Sequence, residues 1–299
     1  MKKRQLGKSS IEISELSLGC MSLPTIASEA RPIIETALEI GINYFDTADL
    51  YDKGMNEEIV GEVLNPYRDK VFIATKVGNR WNEQGDGWYW DASKELIEEG
   101  LKDSLRRLKT DYVDLYQLHG GTIDDHWDEI IDTFEKLKKE GLIREYGISS
   151  IRPNVFKPFF ENSHGVSNMM QYSILDRRPE QWFEFFAEKK VSIVTRGSIA
   201  NGLLTDEWKV RIEKKNHYLN YSKEELKELL ENIEREYGSI HPASMAFNLS
   251  QPVIASIVVG ARTKEQLLKN FEAYKKAQSI QDLSFIKKLA KKDIYTQHR

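Results

Sequence analysis

Two rhythms of apolar residues take turns along this chain. Short unbroken apolar runs, as expected of strands buried on both faces, alternate with stretches whose apolar residues recur every three or four positions, as expected of helices packed on one side. The runs are ELSLGC (15–20), NYF (43–45), FIAT (72–75), YVDLYQL (112–118), IREYGI (143–148), SNMMQY (167–172), VSIVT (191–195) and IASIVV (254–259). Between them Ile33, Ile34, Ala37 and Leu38 mark a helix ending at Gly41, and MNEEIVGEVL (55–64) marks one stopped by Pro66. Ile97, Leu101, Leu105 and Leu108 give a long third helix, and Ile130, Ile131, Phe134 and Leu137 a fourth closed by Gly141. Pro153 and Pro179 suit the first turns of two more, because the first turn needs no N–H. Leu267, Phe271 and Tyr274 form the last core-facing stripe.

Eight strands, each followed by a helix and with no break in composition, predict one α/β domain spanning 1–299. The expected architecture is a (β/α)8 TIM barrel with an N-terminal β-hairpin turning at Gly7 to Ser10 and extra C-terminal helices. One extra helix falls at 222–236, where Ser222 and Glu225 fit a capping box. Another falls near 282–292 and is expected to pack across one barrel end. A doubly wound sheet is the rival arrangement, since strand order is not written in one sequence. No G-x-G-x-x-G follows any strand, which weighs against it.

Composition narrows the classes. Net charge is −4, from 43 basic and 47 acidic residues, so no global field recruits nucleic acid or anionic lipid. Cys20 is the only cysteine, which excludes an intramolecular disulfide and a cysteine-based zinc cluster. The basic start MKKRQLGKSS runs into the charged IEISEL, where a secretory signal needs an apolar core. No stretch has the roughly 18 apolar residues of a membrane span. A cytoplasmic protein without nucleic-acid or membrane partners, and without a metal, is the expectation; oligomeric state is not legible.

The chemistry gathers at strand ends. Gly19, Asp46, Lys76, His119, Ser149, Gln171, Arg196 and Gly260 stand at the C-terminal ends of the eight runs, which share one face in a parallel barrel. Polar residues are ordinary at such turns. Taken singly, Asp46 reads as a turn aspartate, Tyr51 as a packing aromatic, Lys76 as a rim charge and His119 as a satisfied core histidine. Together they suggest proton transfer. A phenol titrates near ~10, and an adjacent ammonium favours the phenolate, so Lys76 is expected to lower the pKa of Tyr51. Asp46 would hold Lys76, and His119 would orient a substrate oxygen.

FDTADLYDKGMNEEIVGE (45–62), IATKVG (73–78), SLRRLKTDYVDLYQLH (104–119) and GLIREYGISS (141–150) resemble the aldo-keto reductase superfamily, over roughly residues 3 to 275. VGARTKEQLLKN (259–270) is similar to its bacterial and potassium-channel-β-like branches. The resemblance implies reduction of small aldehydes and ketones by NADPH, with NADH possible. It implies a catalytic tetrad at Asp46, Tyr51, Lys76 and His119, with Tyr51 as proton donor. It places Ser149 and Gln171 on the nicotinamide carboxamide. Gly197, Ser198, Gly202 and Gly260 would lie along the phosphates, and Gln266 and Asn270 near the adenine. A cofactor-sensing regulatory subunit with little turnover is the alternative that the channel-β likeness implies.

Three positions depart from the family pattern. Ser150 stands where the family has asparagine. Arg196 replaces an aromatic that stacks on nicotinamide, bringing a charge near the ring. Gly260 replaces a lysine for the 2′-phosphate, and Arg262 is the expected substitute, favouring NADPH; Thr263 and Gln266 equally fit a capping box there. The loop 78–91, with Trp81, Trp88, Tyr89 and Trp90, reads either as the wall of an apolar substrate site or as local packing.

Overall fold

The computed structural model describes residues 1–298. The strands are β1 (Lys3–Gln5), β2 (Glu12–Ser14), β3 (Leu16–Gly19), β4 (Tyr44–Asp46), β5 (Phe72–Val77), β6 (Asn79–Trp81), β7 (Trp88–Trp90), β8 (Val113–His119), β9 (Ile143–Ser149), β10 (Ser167–Gln171), β11 (Ser192–Arg196), β12 (His217–Tyr218), β13 (Tyr221–Ser222) and β14 (Ile254–Gly260). The helices are α1 (Ala27–Glu39), α2 (Met55–Leu64), α3 (Lys94–Leu108), α4 (Trp127–Lys139), α5 (Pro153–Asn162), α6 (Phe183–Glu188), α7 (Trp208–Ile212), α8 (Lys223–Tyr237), α9 (Ile240–Leu249), α10 (Lys264–Ala277) and α11 (Ser284–Leu289).

Strands β3, β4, β5, β8, β9, β10, β11 and β14 close into a parallel barrel in which each pairs with the next in sequence. The doubly wound alternative is thereby excluded. The register sets the strand ends in one layer: Gly19 pairs with Asp46, His119 with Ser149, Gln171 with Arg196, and Gly260 with Gly19. Residues distant in sequence therefore meet at one mouth.

The opposite end is plugged by the β1–β2 hairpin. Its Leu6, Ile11 and Ile13 join Tyr44, Ala74, Leu115, Met169 and Val194 in the barrel interior. Each buried Leu, Ile, Val or Met among them contributes about 1.5–3 kcal/mol relative to exposure. Gly7, in the left-handed region at φ 56°, lies so close to the Val166 carbonyl that a Cβ would come within 2.3 Å of it. A second, larger core fills the space between strands and helices, from Leu16 and Ile33 round to Leu267 and Tyr274.

Helix α8 is capped as expected, with Ser222 and Glu225 forming the reciprocal box. Other elements differ from the sequence reading. Helix α1 begins at Ala27, one and a half turns before Ile33, so Pro32 lies inside it. Pro179 opens a 3-10 turn, Arg178–Trp182, before α6 begins. Helix α9 was not expected; its Pro242 occupies the third helical position, where a missing N–H is tolerated. The helix expected at 282–292 is confined to α11, and the tail beyond it has no regular secondary structure. Arg177 donates to the carbonyls of Lys287 (2.9 Å) and Ala290 (3.0 Å), and the Asn154 N–H donates to the carbonyl of His298 (2.8 Å). The tail thus runs over the loops that follow β9 and β10, on the side of the barrel mouth.

Candidate active site

Lys76, the fifth residue of β5, is fully buried and points into the barrel mouth. Its ammonium donates to Asp46 Oδ1 (2.6 Å), to the Thr47 carbonyl (2.7 Å) and to the Tyr51 hydroxyl (3.3 Å). An ammonium has three protons, so this set saturates it. Burial alone would lower its pKa, but the Asp46 carboxylate and the hydrogen bonds to Asp46 and Tyr51 hold it above the ordinary lysine value. Thr47 is itself fixed: its hydroxyl donates to Asn56 Oδ1 (2.7 Å), and Asn56 donates to the Cys20 carbonyl (2.8 Å).

Tyr51 opens a 3-10 turn, Tyr51–Gly54, whose next residues, Asp52 and Lys53, lie in the left-handed region at φ 49° and 55°. Non-glycine residues adopt that region uncommonly, and two in succession mark a turn held by its surroundings. The Tyr51 ring meets that of His119 edge-on, with centroids 6.2 Å apart. The expectation that Lys76 brings the phenol below its usual pKa is corrected here. Burial raises it most, the Asp46 charge raises it further, and Lys76 only partly opposes them. The phenol therefore keeps its proton at neutral pH.

His119 ends β8. Burial, then the Lys76 and Arg196 charges, push its pKa down to about 3, so its imidazole is neutral. Its Nδ1 is buried without a hydrogen-bond partner among the described residues. Asp46, Tyr51, Lys76 and His119 thus come together as one cluster.

Beside Tyr51 lies a cavity of about 480 Å³, lined by Met21, Leu50, Asp52, Lys53, Trp81 and Trp88. The aromatic loop divides between its two readings. Trp81 and Trp88 face this cavity, while Trp90 packs beneath the Arg152 guanidinium, 4.1 Å from its ring. Sequence reasoning found the tryptophans but not the β6–β7 hairpin that carries them, in which Trp81 pairs with Trp88 and the Trp88 and Trp90 rings lie 5.9 Å apart.

A larger cavity, about 650 Å³, opens beyond the ends of β11 and β14. Gly202, Gly260, Gln266 and Asn270 line it, as do His241, Lys269 and Lys276, which the sequence reading did not single out. His241 arrives on the unexpected α9; its Nε2 is buried without a partner among the described residues, and burial pushes its pKa down to about 4. Other expected contacts sit differently. Ser198 is buried, its hydroxyl donating to Thr195 Oγ1 (3.0 Å). Gln266 accepts from the Arg262 N–H (2.8 Å), while the Gln266 N–H donates to Thr263 Oγ1 (3.2 Å), so the cap reading of this turn holds. Arg262 is exposed and does not line the cavity.

Arg196 and Gln171 stand side by side at the ends of β11 and β10. They are cross-strand partners, and Arg196 Nη1 donates to Gln171 Oε1 at 3.5 Å. Gln171 also donates to the Tyr218 hydroxyl at 3.4 Å, which brings the β12–β13 hairpin against the mouth. Gly197 is left-handed at φ 67°, and a Cβ there would press on the Gln171 side chain at 3.1 Å. Ser149 lies in the same layer, and Ser150 exchanges hydrogen bonds with Asn168 (3.2 and 3.1 Å). The larger cavity and the acid–base cluster thus both lie at the C-terminal ends of the barrel strands. The left-handed Gly197 and Gly202 and the unpartnered Nε2 of His241 are features that suit a dinucleotide at this mouth.

The model of the Aldo/keto reductase family matches residues 15–291. The chain is 49% identical over 306 residues to the uncharacterized oxidoreductase YqkF of Bacillus subtilis, covering all of both proteins. It superposes with a TM-score of 0.91 on the holo form of aldo-keto reductase AKR11C1 from Bacillus halodurans, at 49% identity, covering 100% of this chain and 99% of that one. It is also 23% identical to a probable voltage-gated potassium channel subunit beta of rice, covering 91% of each.

Proposed function

The chain belongs to the aldo/keto reductase family of oxidoreductases, and from that premise we propose that it reduces small apolar aldehydes and ketones with NADPH, in the cytoplasm. The observation that carries the reading is the saturated Lys76 ammonium joining Asp46 to Tyr51 beside an aromatic-walled cavity.

A reduced nicotinamide bound at this mouth would supply the hydride. The protein's own groups do the rest. Neutral His119 donates a hydrogen bond to the substrate oxygen and sets its position. Tyr51, still protonated, gives its proton to that oxygen as negative charge develops there. Lys76, 3.3 Å away, stabilises the phenolate left behind, and Asp46 keeps Lys76 in place. Met21, Trp81 and Trp88 wall the substrate's apolar part. Ser149 and Gln171 hold the carboxamide, while Gly197, Ser198 (through its backbone), Gly202 and Gly260 line the phosphates. Gln266 and Asn270 would hold the adenine end, and the exposed Arg262 would take the 2′-phosphate.

Turnover of 4-nitrobenzaldehyde, followed by the loss of NADPH absorbance, tests the reading. Catalytic consumption supports it. Tight NADPH binding with no consumption across a panel of carbonyl compounds would favour a cofactor-sensing subunit instead.

A further inference from the structure

Glu57, in the first turn of α2, is a fully buried carboxylate that takes no part in the chemistry above. One of its oxygens accepts from the Thr75 hydroxyl, and the other accepts from Arg107 Nε at 2.7 Å. Thr75 precedes Lys76 on β5, and side chains alternate along a strand. Lys76 therefore faces the barrel mouth while Thr75 faces α2, and Glu57 grips the strand one residue from the ammonium. Arg107 comes from the last turn of α3, which packs closely on α2: a Cβ on Gly61 would come within 2.5 Å of the Leu108 backbone. The Arg107 side chain lies against Gly54, the last residue of the turn that Tyr51 opens. Gly54 is left-handed at φ 89°, and a Cβ there would meet Arg107 Cδ at 2.8 Å and Nε at 2.9 Å.

The turn needs such a hold. Asp52 and Lys53 both sit in the left-handed region, a conformation that persists only where the surroundings enforce it. Just before the turn, the Asp49 N–H donates to the Lys76 carbonyl at 3.3 Å. In its middle, the Lys53 ammonium donates to the Gly85 carbonyl at 2.8 Å, but that bond is exposed to solvent. At its end stands the Arg107 guanidinium, mostly buried and paired with Glu57. A guanidinium is planar and keeps its proton in proteins, so this contact is stiff and its charge permanent. We infer that Arg107 is a positioning residue for the reduction: it holds the Tyr51 turn through Gly54, and the strand carrying Lys76 through Glu57 and Thr75. The inference rests on Tyr51 as the proton donor, as read above. Arg107 does not line the cavity beside Tyr51, so its influence passes through these contacts.

Steady-state reduction of 4-nitrobenzaldehyde by the full-length protein, in light and in heavy water, tests this. Arg107→Met should lower kcat about 10²-fold, the cost of a proton donor misplaced by about an ångström. The NADPH dissociation constant should stay within about twofold of the wild type. The solvent isotope effect on kcat should rise, because proton delivery has become the slower event. Arg107→Lys keeps the charge beside Glu57 but not the flat contact with Gly54, and its kcat should fall between the two. It decides the matter by the same readouts if the methionine variant does not fold. In a Tyr51→Phe background either substitution should cost less than about twofold, since the group it positions is gone. A variant whose kcat drops only because fewer molecules are folded keeps the wild-type isotope effect, and that result overturns the inference. So does an Arg107 effect undiminished in the Tyr51→Phe background. Normal turnover by Tyr51→Phe alone overturns it together with the proton-donor reading, which keeps the two failures distinct.

Discussion

The Tyr51 hydroxyl lies 3.3 Å from the Lys76 ammonium, whose other two protons are taken by Asp46 and the Thr47 carbonyl. The cation cannot turn away, because every proton it has is engaged on groups fixed by β4 and α2. Its distance to the phenol is therefore set by the barrel and not by side-chain freedom.

Replacing Lys76 by methionine should destabilise the fold by about 3–5 kcal/mol, since Asp46 would be left buried without its partner. The urea midpoint, at unchanged slope, measures this. Reduction should fall by orders of magnitude in parallel, because the phenolate loses its stabilising charge.

The pH profile follows from the neutral imidazole. With His119 pushed down to about 3, kcat/KM should show no inflection near the ordinary histidine value of ~6.5. Stability carries the opposite face of the same shift. Between that value and about 3 the unfolded chain binds a proton at His119 that the folded chain refuses, so stability falls as pH drops through this window. His119→Asn should flatten that slope in denaturation measurements at a series of pH values.

Trp88 and Trp90 stand two residues apart on β7 with their rings 5.9 Å from each other, and of the two Trp88 lines the cavity beside Tyr51. Trp88→Ala opens the cavity beside Tyr51 and should raise KM for aromatic aldehydes about tenfold, with less effect on short aliphatic ones. Trp90→Ala removes the Arg152 stack and a contact of Trp88, and should move that ratio of KM values less than Trp88→Ala does.

Arg262→Ala should weaken NADPH about tenfold and NADH hardly at all, because only the former has the 2′-phosphate that an arginine fork matches. Calorimetric titration with both cofactors checks it. Equal losses would move the 2′-phosphate contact to another cation, with Lys269 and Lys276 on the cavity wall the nearest choices.

Much of this architecture was legible because buried parallel strands are unbroken apolar runs whose ends announce themselves with a polar residue or glycine. The layer Gly19, Asp46, His119, Ser149, Gln171, Arg196 and Gly260 could be named from the chain, with Lys76 one residue short of its strand end. Helix α9 was hidden by Pro242, which reads as a breaker unless its place in the first turn is known. The balance on Tyr51 was also hidden. Sequence shows the cation and the acid, but burial, the dominant influence on the phenol, exists only in three dimensions. The cavity roles of His241, Lys269 and Lys276 were illegible for a related reason: each sits on a helix face whose exposure depends on how α9 and α10 pack.

The most direct test of the account is Tyr51→Phe, which removes one oxygen and leaves the ring against His119. Steady-state reduction of 4-nitrobenzaldehyde should fall by about 10²–10⁴-fold, while NADPH affinity, measured by titration on the same protein, stays within about twofold of the wild type. Normal turnover by this variant would contradict the assignment of Tyr51 as the proton donor.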